Sequence, residues 1–291
     1  MDHLDVLKTY KLFIGGQFPR SESGRYYPLT DKKKKVIANI CLASRKDFRN
    51  AVVAARTAFP GWSSRSGYNR GQILYRIAEM LEGRKEQFIE EIIQQGNSKS
   101  KAREETALAV DRLVYYAGWC DKFQQVFSTV NPVQSSHYNF SIPEPTGVVA
   151  IVAPQENSLG GLISLIAPVI AGGNTCVALA AEKMPLCAIT FGEALSTADL
   201  PAGVVNILTG KIEELLPHMA SHMDVNALVF AAEEMEELKA AQEAAAGNVK
   251  RVFVYEKERM LKQDPYFILD TQEIKTTWHP VEKIGPGETK Y

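Results

Sequence analysis

The stretch EPTGVVAIVAPQENSLGGLISLIAPVIAGGNTCVALA (144–180) decides the fold. It holds two short apolar runs without polar alternation, VVAIVA (148–153) and CVALA (176–180), separated by a helical stretch over 159–171. A strand with no polar face is covered on both sides, and two such strands joined through a helix run parallel. The pattern continues with VVNIL (204–208), ALVF (227–230) and VKRVFVY (249–255), interleaved with helical stretches at 185–198, 212–222 and 233–246. This grain predicts an α/β fold built on a doubly wound five-stranded parallel sheet.

Upstream, KLFIGG, RYYPL and VIANICL within residues 11–42 suggest a small meander, with Lys32 to Lys35 as a solvated turn. From Ser44 the period becomes 3.6. Ser44 caps a helix carrying Phe48, Val52 and Ala55 that is expected to stop at Pro60-Gly61. A longer helix opens at Ser66 and runs through Ile93, and a third spans about 99–125. HYNFSI (137–142) alternates like an edge strand, and QEIKTTWHPV (272–281) reads as one more exposed strand.

Thirty-three Lys+Arg against 34 Asp+Glu give a net charge of −1, so no overall field favours nucleic acid or an anionic membrane. No apolar run reaches the roughly 18 residues of a spanning helix, and the acidic, alternating N-terminus does not read as a signal peptide. Cys41, Cys120, Cys176 and Cys187 form no CxxC pair and read as reduced thiols, which suggests a cytoplasmic protein.

Residues 144–210, with KLFIGGQF near the start, AARTAFPGW (54–62) and YYAGW (115–119), resemble the cofactor-binding domain of the NAD(P)-dependent aldehyde dehydrogenase superfamily. QEIKTTWHP resembles that family's terminal strand, which pairs with a neighbouring subunit. The resemblance divides the chain into a domain over 1–256, with 137–142 in a small β oligomerisation arm, a linker over 257–270 in place of the family's catalytic domain, and an oligomerisation strand and tail over 271–291. It also implies that the retained strand has no use within one chain, and that loss of the catalytic domain bares an apolar flank.

Aldehyde oxidation on this fold needs a thiolate nucleophile, a neutral oxyanion donor, a carboxylate base and a small-residue helix start for the pyrophosphate. No cysteine follows Cys187. The position of the family's oxyanion Asn carries Glu156, a carboxylate that cannot donate, with Asn157 one residue along. The base position carries Tyr255, beside Glu256. The family's phosphate cradle is replaced by Phe230, Ala231, Ala232, Glu233, Glu234, Met235, Glu236 and Glu237. Carboxylates there complement the helix's own positive end and repel a phosphate. Of the two ribose contacts, the Lys position holds Leu179 and the acidic one survives as Glu182. His218 and His222 have i, i+4 spacing, but nothing else points to a metal, and a structural role is expected.

Taken with the resemblance, these residues imply a truncated, catalytically inactive family member acting as a structural or regulatory subunit, with itself or with a full-length aldehyde dehydrogenase. High-affinity cofactor binding is not expected; weak NAD(P) binding is left open. Two alternatives remain: an NAD-dependent oxidoreductase active within a composite complex, and a binder of a nucleoside-type ligand using Glu182.

Overall fold

The structure, a computed structural model, describes residues 6–231, 235–260 and 262–281; of residues 235–237 and 257 it describes the backbone alone. Thr9–Tyr10 (β1), Tyr26–Thr30 (β2) and Val36–Cys41 (β3) form a sheet of order β1-β3-β2. It departs from a meander. The β2–β3 hairpin is antiparallel, but β1 runs parallel to β3. KLFIGG leaves this sheet altogether: the Phe13 N–H donates to the Ile207 carbonyl at 2.9 Å, and the Phe13 carbonyl accepts the Ile207 N–H at 2.7 Å. Burial of Leu12 and Phe13 draws this segment to the main core. The lysine run is exposed at the hairpin tip, where Asp31 accepts the backbone N–H groups of Lys33 and Lys35.

Arg45–Ser63 (α1) begins in a capping box: Ser44 accepts the Lys46 and Asp47 N–H groups, and the Asp47 carboxylate accepts the Ser44 N–H. It does not stop at Pro60. The fully buried Trp62 anchors the last turn by donating its indole N–H to the Ile170 carbonyl at 3.0 Å. The long helix expected from Ser66 is two, Gly67–Gly83 (α2) and Lys85–Gln94 (α3), parted at Arg84, whose φ of −111° is not helical. The third likewise divides into Lys99–Trp119 (α4) and Phe123–Phe127 (α5).

Thr129–Asn131 (β4) and His137–Pro145 (β5) precede the main sheet. Its elements are Val148–Val152 (β6), Gly160–Ala171 (α6), Thr175–Leu179 (β7), Leu186–Ser196 (α7), Val205–Leu208 (β8), Ile212–Ser221 (α8), Ala227–Phe230 (β9), Met235–Ala245 (α9) and Arg251–Val254 (β10). The order is β10-β9-β6-β7-β8, every pairing parallel. Because successive side chains alternate, Val149, Ile151, Cys176 and Ala178 pack with α6, α7 and α2–α4. Val148, Ala150, Val152 and Val177 face α1 and α8. Every residue of α6 is buried, because the sheet covers one side and α4 another. That explains a helix with no polar face.

Lys257–Met260 (α10), Tyr266–Asp270 (α11) and Gln272–Pro280 (β11) complete the described chain. The segment read as a linker, 257–270, carries these two short helices and packs on the domain. This bridge runs along α6: Met260 lies beside Gly161 in its first turn, and Ile268 beside Gly172 at its end. Met260, Phe267 and Ile268 are buried, and the Tyr116 hydroxyl donates to the Asp264 carbonyl at 3.1 Å. The bridge covers this side of α6. The expectation that the terminal strand has no use within one chain is corrected. β11 pairs antiparallel with β5 from Gln272–Pro145 to Pro280–His137, which makes β5 the central strand of a sheet ordered β11-β5-β4. It therefore has a partner within the chain. Arg251 ties its root to the domain through the Gln272 carbonyl and Glu273.

Candidate functional site

In an open parallel sheet, ligands gather at the carboxyl ends of the strands where the strand order reverses. Here the reversal lies between β6 and β9. Beyond the strands, Ala153 donates to the Leu179 carbonyl, Ala180 to Leu208, Ala231 to Val152 and Tyr255 to Phe230, at 2.9–3.2 Å. The rim is therefore three methyl groups and one phenol.

The β6–α6 loop carries Glu156, which is exposed, and Asn157, which takes a left-handed φ of 55° while its carbonyl accepts the Gly161 N–H. Gly161 allows a close approach: a Cβ there would fall 2.4 Å from Pro154 Cγ. The first N–H groups of α6 are taken by a side chain the sequence reading did not single out. Glu105 of α4, 5% exposed, accepts from Leu159 at 2.7 Å and from Gly160 at 3.4 Å. Burial pushes this carboxyl up, and its two N–H donors pull it back. Its signal was legible as a charge within the apolar stripe Ala102, Thr106, Ala109 and Leu113. Glu91 of α3 is a second such case. It is buried, accepts the Tyr10 and Thr190 hydroxyls through Oε1, and is likewise pushed up by burial.

The β7–α7 loop is pinned to its neighbours. The Glu182 N–H donates to Gln155 Oε1 at 2.9 Å, and the Tyr27 hydroxyl donates to the Glu182 carbonyl at 2.9 Å. These bonds bring Glu182 alongside the β6–α6 loop. Leu179 points into the core with Val152 and Leu208.

Tyr255 stands apart from both loops. Buried between β10 and the bridge, it stacks edge-on against Phe267 and donates its hydroxyl to Asp270 at 2.8 Å. Burial, then the Asp270 charge, push its phenol far above the usual tyrosine range, the wrong direction for a base. Glu256 is exposed, and its carbonyl accepts the Met260 N–H. Glu156 and Tyr255 are thus an exposed carboxylate and a buried phenol, not one cluster.

All four cysteines are free and buried. Burial pushes Cys120 up to about 12 and also pushes Cys176 and Cys187 well up, with Glu91 adding to the effect at Cys187. Lacking thiolate character, these three are poor nucleophiles. His218 and His222 sit at the end of α8, where His222 packs on Phe48 and its Nδ1 accepts the Asp224 N–H. Among the described residues no group of three ligand-type side chains comes together. Of the proposed cradle, Ala232, Glu233 and Glu234 lie outside the described residues, as do the side chains of Glu236 and Glu237 on α9. A groove of about 990 Å³ lies elsewhere, between α2 and α4, lined by Tyr68, Tyr75, Val114 and Lys122.

A parallel sheet of this order, flanked by helices and extended by a three-stranded β arm, defines a doubly wound α/β domain. The profile of the aldehyde dehydrogenase family matches residues 19–256, and the chain belongs to that family. The match ends one residue past Tyr255, where the bridge begins. The cytosolic 10-formyltetrahydrofolate dehydrogenase of Xenopus tropicalis is 32% identical over 258 residues, 87% of this chain and 29% of that protein. Aldehyde dehydrogenase family 2 member B4 of Arabidopsis thaliana, a mitochondrial protein, is 34% identical over 76% of this chain and 41% of its own length. An aldehyde dehydrogenase from Bacillus cereus, solved in complex with NAD+, superposes with a TM-score of 0.81 at 26% identity, covering 85% of this chain and 51% of that one. The chain therefore spans about half the length of this solved enzyme and under half of the two curated relatives.

Proposed function

We propose that this chain is an aldehyde dehydrogenase-family subunit that does not itself oxidise aldehydes and acts by association, with a second copy or with a full-length homologue. One observation carries the reading: all four cysteine thiols are buried, and burial pushes those of Cys120, Cys176 and Cys187 up, which leaves no accessible thiolate to attack an aldehyde. Glu156 and Tyr255 support it, being unsuited to donate to an oxyanion or to activate water. Weak NAD(P) binding is compatible with Glu182, whose backbone is held in place by Gln155 and Tyr27. High affinity is opposed by the acidic residues at the cradle positions. Four free, buried thiols fit a reducing, cytoplasmic setting.

The test is chemical. The purified chain is incubated with NAD or NADP and a panel of aldehydes, then analysed for reduced cofactor and by intact mass. The expected result is no reduced cofactor, no adduct on any thiol, and labelling of cysteines by a thiol reagent only after denaturation. An aldehyde-derived adduct on Cys41, Cys120, Cys176 or Cys187 overturns the reading.

A further inference from the structure

The lysine run at the tip of the β2–β3 hairpin does not stand alone. The Lys32 side chain packs on the turn between α3 and α4, its Cε 2.8 Å from the place a Cβ on Gly96 would take. The same turn reaches the β7–α7 loop: Asn97 Nδ2 lies 4.0 Å from Met184 Sδ, and the Leu186 N–H donates to Gln95 Oε1 at 3.1 Å. Three segments distant in sequence, 31–35, 96–104 and 182–184, thereby meet at one surface. They carry Lys32 to Lys35, then Lys99, Lys101 and Arg103, then Lys183, all exposed. Asp31, Glu104 and Glu182 are the carboxylates of the same segments, so eight cationic groups stand against three acids in a chain whose net charge is −1. Apart from Lys35, no cation of this face has an ion pair among the described residues. Two of the acids are engaged locally: Asp31 Oδ1 accepts the Lys33 and Lys35 N–H groups, and Glu104 accepts the Ser100 hydroxyl at 2.9 Å. α4 begins here under its Ser98 cap, so its positive end adds to the field.

We infer that this face binds the surface of an anionic phospholipid bilayer, adsorbing at the headgroups without inserting. The inference goes beyond the associative reading and stands whether or not that reading holds. Three features select the partner. The cations are spread over three segments and none is buried, so they match a broad field of negative charge rather than a compact ligand held in a closed pocket. Seven of the eight are lysines, hydrated point charges on flexible stems. The planar, forked arginine favoured in nucleic-acid recognition occurs once. The three segments also contain no aromatic residue on which an unpaired base could stack. The same lack of a large exposed apolar side chain keeps the contact at headgroup depth. A net charge near zero does not cancel this local field, because exposed charges beyond a Debye length, about 8 Å at physiological ionic strength, are largely screened. Asp31 ties down the hairpin backbone, so little ordering is needed on contact.

Vesicle sedimentation of the full chain tests both the partner and the face. At about 0.1 M salt the chain should pellet with mixed phosphatidylserine–phosphatidylcholine vesicles and stay in solution with pure phosphatidylcholine. At about 1 M salt, where the Debye length falls to about 3 Å, it should be released. Each lysine near an anionic surface strengthens binding about fivefold, so Lys33→Gln with Lys34→Gln should weaken partitioning roughly 25-fold. Lys99→Gln with Lys101→Gln should weaken it by a similar factor, since the start of α4 belongs to the same face. Arg65→Gln with Lys122→Gln removes equal charge at the far end of the 21-residue α4, about 30 Å away, and should leave partitioning within about twofold. All six side chains are exposed, so circular dichroism and Tm of the three variants should match the wild type.

Equal binding to both vesicle types, or binding to neither at the lower salt, overturns the proposal. So does a loss with Arg65→Gln and Lys122→Gln as large as that with the hairpin pair, which would make net charge the determinant rather than this face. Binding to a short RNA or DNA duplex at a lower phosphate concentration than to the anionic vesicles overturns the choice of lipid and assigns the face to nucleic acid.

Discussion

Met260 is where the bridge meets the first turn of α6, and truncating it measures how firmly that bridge is seated. Its side chain is 1% exposed, and its Cε lies 3.4 Å from where a Cβ on Gly161 would stand. Met260→Ala deletes Cγ, Sδ and Cε; at about 0.8 kcal/mol per buried methylene-sized group the lost transfer energy is about 2.4 kcal/mol. A residual cavity adds to this in rigid cores, where such truncations cost roughly 2–5 kcal/mol. The four-residue α10 lies at the surface and can partly collapse, so the expected loss is near the lower end, about 2–3 kcal/mol. In a chain of this size that lowers Tm by roughly 3–5 °C. Urea denaturation should show a lower midpoint with an unchanged slope. Limited trypsinolysis should show faster cleavage at Lys257, Arg259 and Lys262. A loss below about 0.5 kcal/mol, the range of an ordinary surface substitution, together with unchanged cleavage, would refute the docking of the bridge on α6.

Glu105→Ala leaves the Leu159 and Gly160 N–H groups without their carboxylate and should destabilise by about 1–3 kcal/mol. Glu105→Gln keeps an acceptor oxygen and should cost less. Because burial holds the Glu105 pKa above its unfolded value of 4.5, the stability linked to its protonation is complete below that pH and lost as pH rises through the folded-state value. Glu91 and Asp270 shift in the same direction, so the informative quantity is the wild-type stability curve minus that of Glu105→Gln; a flat difference above pH 4.5 would remove the claim. Replacing Glu233, Glu234 and Glu237 together by serine should raise NAD affinity by up to about a thousandfold, since one carboxylate about 4 Å from a phosphate costs about 4 kcal/mol at an effective dielectric of 20. Calorimetric titration reads the gain. Dehydrogenase activity in that variant would show that the nucleophile had been misassigned.

The main sheet was legible because continuous apolar runs permit little else: β6 to β10 fall within a residue or two of the runs at 148–255. Helix starts were legible where a side chain caps them, as at Ser44, Ser66 and Ser98. Helix ends were not. Pro60 reads as a stop, yet burial of Trp62 outweighs it. Gly83-Arg84 carries no strong breaking signal, yet the helix divides there. At the candidate site, the sequence identified which groups occupy the degenerate positions but not what holds them. Asp270 accepting from Tyr255, Gln155 accepting from Glu182, and Glu105 closing α6 join residues 15, 27 and 54 positions apart. Local patterning carries no record of such pairs.

By itself the sequence determined the fold class, through strand periodicity, and the family, through the resemblance of its motifs, because periodicity and side-chain identity are local properties. Tertiary structure alone decided that the bridge lies along α6 and that β11 pairs within its own chain. Those outcomes depend on which surfaces meet, and the competition for burial and for backbone hydrogen bonds is settled only when the whole chain is assembled.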